Sequence, residues 1–371
     1  MASARAAKAE QDTRERAADD DLKEMVESLR KSDWTTAKAA YDRAKVRLGS
    51  NDSQELRQRI DQHARELELA YLLENIRLRR ADRFEPGVNP STRAAKEYDS
   101  AFRNAGICEG RENPEIVASN IKATNIREAL VAALDDWEAC TNVAPEQKWI
   151  LDVARRADRN TSEWYINART YEIRQKQTAL EKVIASAPAT DQPVQLLLAL
   201  AYRYESCGGN PIQLLTEVQK NHSSDFWVNY RLGEALGAKS KHAEAIRYYQ
   251  AALALRQAGV VHHNLSIALL AIGRLDEAKL HMEETVKYDP LSFTAQYNLG
   301  LFLLEKKDYS SAIEHLRLAV KLEPKAITHA GYAAGLFYLG KYEEAYEEYR
   351  KALALDPNLI SAQKGVRTAA D

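Results

Sequence analysis

One spacing constrains this chain more than any other feature. Between Phe226 and Asn358 a single pattern recurs about every 34 residues and stops at Gln257, Pro290, Pro324 and Pro357, which lie 33, 34 and 33 residues apart. A fixed period of this length means repeated two-helix units, each unable to bury its apolar face alone and stable only when stacked on its neighbour. The units read Phe226–Ala258, Gly259–Ser292, Phe293–Lys325 and Ala326–Leu359. In the first segment of each, a large side chain precedes a small one: Leu232-Gly233, Leu265-Ser266, Leu299-Gly300 and Tyr332-Ala333. The second segments answer with Ala245, Ala278, Ala312 and Ala345, then with Tyr249, Met282, Leu316 and Tyr349, then with Ala252, Thr285, Ala319 and Ala352. Small residues let helix backbones approach closely, and the bulky ones fill the space between. The turns Gly273-Arg274-Leu275-Asp276-Glu277, Lys307-Asp308-Tyr309 and Gly340-Lys341-Tyr342 separate the segments, and proline ends three of the four units by disfavouring helix in the residue before it.

This code resembles the tetratricopeptide repeat (TPR) family, matched four times in register. The resemblance implies an all-α fold, a helical-hairpin TPR solenoid preceded by a helical N-terminal region. The solenoid is expected over residues 192–371, as one degenerate repeat with Leu198-Ala199 and Tyr202, four good repeats and a C-terminal helix. It also implies a protein that acts by binding protein or peptide ligands.

Upstream, residues 1–20 are alanine and charge without an apolar stripe, which predicts a flexible or helical connector. Residues 21–84 predict a TPR-like hairpin, since Trp34, Ala37, Tyr41 and Ala44 reproduce the second half of a repeat, followed by a long helix from Gln54 to Arg83 capped by Asn51-Asp52-Ser53. Its stripe Leu56, Ile60, Leu67, Tyr71 and Leu78 is expected to lie on the preceding hairpin; the alternative is an assembly subunit that self-associates through this helix as a homodimer. Glu85-Pro86-Gly87 and Asn89-Pro90 mark a domain boundary, and residues 91–190 read as an irregular helical domain anchored by Trp149 and Trp164.

The runs Ala95-x-x-Tyr98-x-x-Ala101-Phe102-Arg103-x-Ala105-Gly106-Ile107, Ala133-Leu134-Asp135-Asp136-Trp137 and Asp225-Phe226-Trp227-Val228-Asn229 resemble the C-terminal regions of large bacterial serine/threonine protein kinases. That similarity implies a sensor or scaffold in bacterial signalling. The chain has no Gly-rich phosphate loop, no His-Arg-Asp catalytic loop and no Asp-Phe-Gly, so it is not itself a kinase.

Composition narrows the function further. Fifty-two basic against 54 acidic residues, interleaved, give a net charge of −2 and argue against a nucleic-acid partner. Cys108, Cys140 and Cys207 lack the paired spacing of a zinc site and read as free thiols. No apolar run is long enough to span a bilayer, so no direct membrane insertion is expected, and the location reads as cytoplasmic, or extracytoplasmic within a membrane-anchored kinase. No catalytic residue, metal or cofactor is expected. Adjacent Asp135-Asp136 diverge by about 100° on a helix and read as a solvated edge. His262-His263 share that divergence, with His263 expected to make a peptide or surface contact. Cys207-Gly208-Gly209-Asn210-Pro211 follows no strand and reads as a turn.

The candidate site is a groove. On the first helix of each repeat, the second, sixth, ninth and thirteenth residues share the face opposite the packed one. The TPR resemblance makes that face the concave side. It carries Trp227, Arg231 and Glu234 with Tyr230 on the rim; Val260, Asn264 and Ile267 beside His263; Thr294, Asn298 and Leu301 beside Tyr297; and Ile327 and Tyr338. Tyr230, Arg231 and Tyr297 are expected to anchor an extended peptide, with Asn264 and Asn298 pairing to its backbone. Family members that grip a terminal carboxylate use lysine at the fifth position and asparagine at the ninth. Tyr230 and Glu234 stand there in the first repeat, His263 and Ile267 in the second.

Overall fold

The structure, a computed structural model, describes residues 2–30, 33–48, 54–81, 89–187 and 193–370. Among these every regular element is a helix, and none is long and apolar enough to cross a membrane. The chain forms two compact units. The first gathers Met1–Arg80 and Ser91–Asn210. Its helices are α1 (Ala2–Arg30), α2 (Trp34–Val46), α3 (Gln54–Ala81), α4 (Pro90–Asn104), α5 (Pro114–Lys122), α6 (Arg127–Cys140), α7 (Ala144–Ala157), α8 (Glu163–Ala168), α9 (Tyr171–Arg174), α10 (Gln177–Ala185) and α11 (Val194–Ser206). The second comprises Ala81–Pro90 and Pro211–Asp371. Its helices are α12 (Ile212–Asn221), α13 (Phe226–Ala238), α14 (His242–Leu255), α15 (Gly259–Ala271), α16 (Leu275–Tyr288), α17 (Phe293–Glu305), α18 (Tyr309–Leu322), α19 (Ala326–Tyr338), α20 (Tyr342–Leu355) and α21 (Ile360–Ala370). The expected cap Asn51-Asp52-Ser53 and the break Glu85-Pro86-Gly87 lie outside the described residues.

In the second unit the repeat code becomes packing. A Cβ added at Gly233 would sit 2.8 Å from the Tyr249 ring, and one at Gly300 would sit 2.6 Å from Leu316 Cγ. The small residue of the first helix is therefore where the bulky residue of the second rests. Ala245, Ala278, Ala312 and Ala345 are fully buried, as are Ala252, Ala319 and Ala352. Gly300→Leu is accordingly expected to overpack the third hairpin and lower stability by about 1–3 kcal/mol, loosening the repeats beyond it. An unchanged denaturation midpoint would contradict this register.

The turns share one geometry. Ser240, Gly273, Lys307 and Gly340 all take positive φ, at 58°, 79°, 64° and 83°. The next residue donates its N–H back to the carbonyl five positions earlier: Lys241 to Leu236, Arg274 to Leu269, Asp308 to Leu303 and Lys341 to Leu336, at 2.9–3.0 Å. This is a Schellman closure, in which glycine carries no Cβ penalty in the left-handed conformation. A second bond recurs at the start of three first helices, α13, α17 and α21. The fourth residue of the first helix donates its amide to the carbonyl six residues back, Asn229 to Ser223, Gln296 to Pro290 and Gln363 to Pro357, at 2.8–2.9 Å. Through Gln363, α21 takes the register of a further first helix.

The first unit departs most from expectation. Residues 2–20 take the helical one of the two expected forms, continuous with the rest of α1, which is tied down where Asp21 bridges Arg43 of α2 and Arg47 just past its end. The stripe of α3 is occupied within the chain: Leu56 and Ile60 pack with Ala18, Leu22 and Ala44, while Leu67 packs into the unit's main core. It is therefore not free to pair with a second α3. The main core runs from Met25 to Ala157 around Trp137, whose ring lies 5.5 Å from Phe102 and 6.1 Å from Trp149. Ala95, Tyr98, Ala101, Phe102 and Ile107, with Ala133, Leu134 and Trp137, belong to the same core. The apolar positions of the first two runs that resemble the kinase-linked regions are therefore core residues here, while the third run, 225–229, opens α13 in the second unit. Trp149 and Trp164 are buried as expected.

Asp135 and Asp136 are not a solvated edge. Asp135 is 1% exposed and holds Arg169 through two bonds of 2.7 and 2.9 Å. Asp136 accepts from Arg80 at 2.6 Å and from the Tyr98 hydroxyl at 2.8 Å. Glu138, fully buried, bridges Arg174 and Arg203 at 2.6 Å each. The divergence of side chains on α6, which argues against paired-carboxylate chemistry, lets each carboxylate meet its own arginine. Arg203 belongs to α11, which thus lies in the first unit while α12 lies in the second; the degenerate repeat expected from Gln192 is divided between them.

Candidate functional site

Consecutive first helices approach one another, α13 with α15 and α17 with α19, which makes their shared face the inner wall of the stack. The residues expected on it fall into three groups. Trp227, Tyr230 and His263 form a layer beneath the surface. Tyr230 is 1% exposed, its ring parallel to Phe226 and edge-on to Trp227, and its hydroxyl accepts from the Asn264 amide at 3.2 Å. It supports the wall and is not the exposed anchor expected from sequence. His263 is buried likewise, and burial pushes its imidazole down to about 4, so it is neutral and makes no surface contact.

Arg231 and Glu234 reach the surface but bind each other in an ion pair along α13. Asn264 is half-buried and already engaged with Tyr230. The third group is available. Tyr297 lies across Gly331, where an added Cβ would come within 2.7 Å of its ring. Burial raises its hydroxyl above the usual tyrosine value. The side-chain amide of Asn298, half-buried beside it, makes no hydrogen bond to any described residue. Tyr338 is exposed at the edge, stacked on Tyr309 at 5.3 Å.

Sequence reasoning placed Ile267, Leu301 and Ile327 on this face without weighting them, yet they are 44%, 37% and 42% exposed and supply its apolar surface. It missed a cavity of about 190 Å³ between α13 and α15. Glu234, Gly237 and Ala238 line one side and Asn264, Ile267 and Ala268 the other, with His242 and Tyr249 of α14 closing the base. The signal was there: small residues at the end of the first helix, where the other repeats carry Leu270, Leu304 and Phe337.

One further regularity was not anticipated. Within three hairpins, the fourth residue of the first helix meets a residue 19 positions later on the second. His262 Nδ1 lies 2.9 Å from His281 Nδ1, His315 Nδ1 lies 2.7 Å from Gln296 Oε1, and His329 Nδ1 lies 2.6 Å from Glu348 Oε2. His262 Nε2 faces Gln257 Oε1 at 3.0 Å, an atom that only accepts, so Nε2 carries the proton and Nδ1 accepts from His281. Among the described residues no group of three or more His, Cys, Asp or Glu side chains could hold a metal ion. Cys108, Cys140 and Cys207 are free thiols, with Cys108 pushed up to about 11 by burial.

Comparison with known proteins places this geometry. Models described as tetratricopeptide repeat match residues 228–258 and 263–327, and one described as TPR repeat matches 336–363. U-box domain-containing protein 70 of Oryza sativa subsp. japonica is 24% identical over 162 residues, 43% of this chain and 20% of that protein. The Hsp70-Hsp90 organizing protein of Triticum aestivum is 27% identical over 128 residues, 34% of this chain and 22% of that protein. The chain spans about a fifth to a quarter of the length of the curated relatives it matches. Among solved structures, YrrB, a TPR protein with an unusual peptide-binding site, covers 52% of this chain and 99% of its own at 17% identity and a TM-score of 0.45. The hairpins from α13 to α20 are tetratricopeptide repeats.

Proposed function

We propose that the second unit is a non-enzymatic interaction module that holds an extended peptide segment of a protein partner along the inner wall of α13, α15, α17 and α19. The observation that carries this reading is Asn298. A half-buried amide unengaged by any described residue, beside the Tyr297 ring and the exposed Leu301, suits the alternating polar and apolar demands of an extended main chain. TPR proteins mediate protein–protein interaction, and relatives such as the Hsp70-Hsp90 organizing protein carry partners in their names. A place in bacterial signalling belongs to the same proposal, supported by the runs at 95–107, 133–137 and 225–229.

The two asparagines separate binding from folding. Asn298→Ala is expected to leave the melting temperature unchanged and to weaken a bound peptide about five- to ten-fold, the loss of hydrogen bonds worth about 1 kcal/mol. Asn264→Ala is expected to lower stability itself by about 1 kcal/mol, because it removes a donor from the buried Tyr230 hydroxyl. Isothermal titration paired with thermal melting reads both. Peptide binding indifferent to Asn298→Ala would count against the inner wall.

A further inference from the structure

We infer that the groove takes an internal, uncharged stretch of its partner, seated by one apolar side chain in the cavity between α13 and α15. This rests on the peptide-binding reading above and narrows it.

The charge of the wall decides against ionic ligands. Across the inner positions of the four first helices, the charged residues are Arg231, Glu234 and Glu305. Arg231 is already bound to Glu234, and His263 is neutral. A terminal carboxylate or a phosphate would shed its hydration against a wall whose one guanidinium is taken and whose remaining charge is negative, a cost with nothing to offset it. A lysine or arginine entering the cavity would meet Glu234 with Arg231 already on it and be repelled by that guanidinium.

The cavity argues for an apolar group. Gly237, Ala238, Ile267, Ala268 and Tyr249 supply most of its walls, and its volume is about 190 Å³. Of the polar lining residues Glu234, Asn264 and His242, the first two are already bound to Arg231 and Tyr230. A cavity of about 150 Å³ holds a benzene ring, so this one accommodates a single side chain of leucine to phenylalanine size. Two repeats further along, Asn298 and the Tyr297 hydroxyl offer a donor and an acceptor to main-chain groups, a recognition that needs no chain end. Apolar seat and main-chain contacts lie on one continuous wall, joined by Ile267 and Leu301.

The test uses the full chain against two immobilised libraries of random decapeptides, one acetylated and amidated, the other with free termini. The capped library should yield binders that align with an apolar residue at one fixed position. Lengthening the best of them at both ends should leave its affinity within about two-fold. Ala238→Phe, at an exposed site on the cavity rim, and Ile267→Ser, which removes an apolar wall, should each weaken that peptide by about ten-fold or more while melting like the parent. If either variant melts early, the other decides. Binders drawn only from the free-terminus library, acidic or basic consensus at the fixed position, or full affinity in the well-folded variants would overturn the inference while leaving a peptide-binding groove. Failure of both libraries would remove the groove reading itself.

Discussion

Glutamine in place of Glu138 is expected to cost the first unit about 3–5 kcal/mol, the penalty for breaking a buried ion pair by removing one partner. Glu138 is wholly buried and each of its oxygens binds a different arginine, Oε2 to Arg174 and Oε1 to Arg203. Glutamine keeps the shape but deletes the charge, leaving two desolvated guanidiniums on an amide that can accept at one oxygen only. Arg174 retains Asp135 at 3.3 Å and the Ala168 carbonyl, so the loss is large without being total. Removing all three charges together, with Glu138→Leu, Arg174→Met and Arg203→Met, should restore much of the stability, because no ion is then stranded. Urea unfolding of the three proteins measures this; equal stability for parent and single variant would mean that water reaches the network.

Acid should loosen the second unit from its second hairpin. His262 and His263 are held down to about 4, His262 by burial and by His281 against it, His263 by burial alone. In the unfolded chain both titrate near about 6.5. Between those values the unfolded chain binds protons that the folded one refuses, so their contribution is complete above pH 6.5 and is lost as the pH falls toward 4, where the slope ends. At pH 5 each withholds about 2 kcal/mol. His281 and His315 are shifted down by burial and add to the same trend. His262→Gln, which copies Gln296 of the next repeat, should remove a large part of the acid slope. Hydrogen exchange in α15 and α16, corrected for intrinsic rate, reads the effect directly; equal protection at pH 7 and pH 5 would contradict it.

The solenoid was legible because its code is local. Gly300 and Leu316 are 16 residues apart and meet inside one hairpin, so the pattern that repeats is the pattern that packs. What was not legible depends on neighbours that no period specifies. Asp135 and Glu138 look like a polar helix edge until Arg169, Arg174 and Arg203 arrive from 34 to 65 residues away. Tyr230 and Tyr297 hold the same position in their repeats, yet one is sealed in and the other half-open. The difference is the next first helix, which sets Asn264 on the Tyr230 hydroxyl but only Gly331 under the Tyr297 ring. The cavity at Ala238 likewise arises from what α13 lacks.

Hydroxyl-radical footprinting of the full chain with a library-selected, end-capped peptide tests the central claim most directly, because both walls of the stack carry exposed reporters. Ile267, Leu301 and Tyr338 mark the inner wall, while Leu280, Tyr288 and Leu355 mark the second helices. A peptide in the groove should protect Ile267 and Leu301 and leave Leu280, Tyr288 and Leu355 as reactive as in the free protein. Protection of those second-helix residues, with Ile267 and Leu301 unchanged, would place the partner on the opposite face and contradict the account.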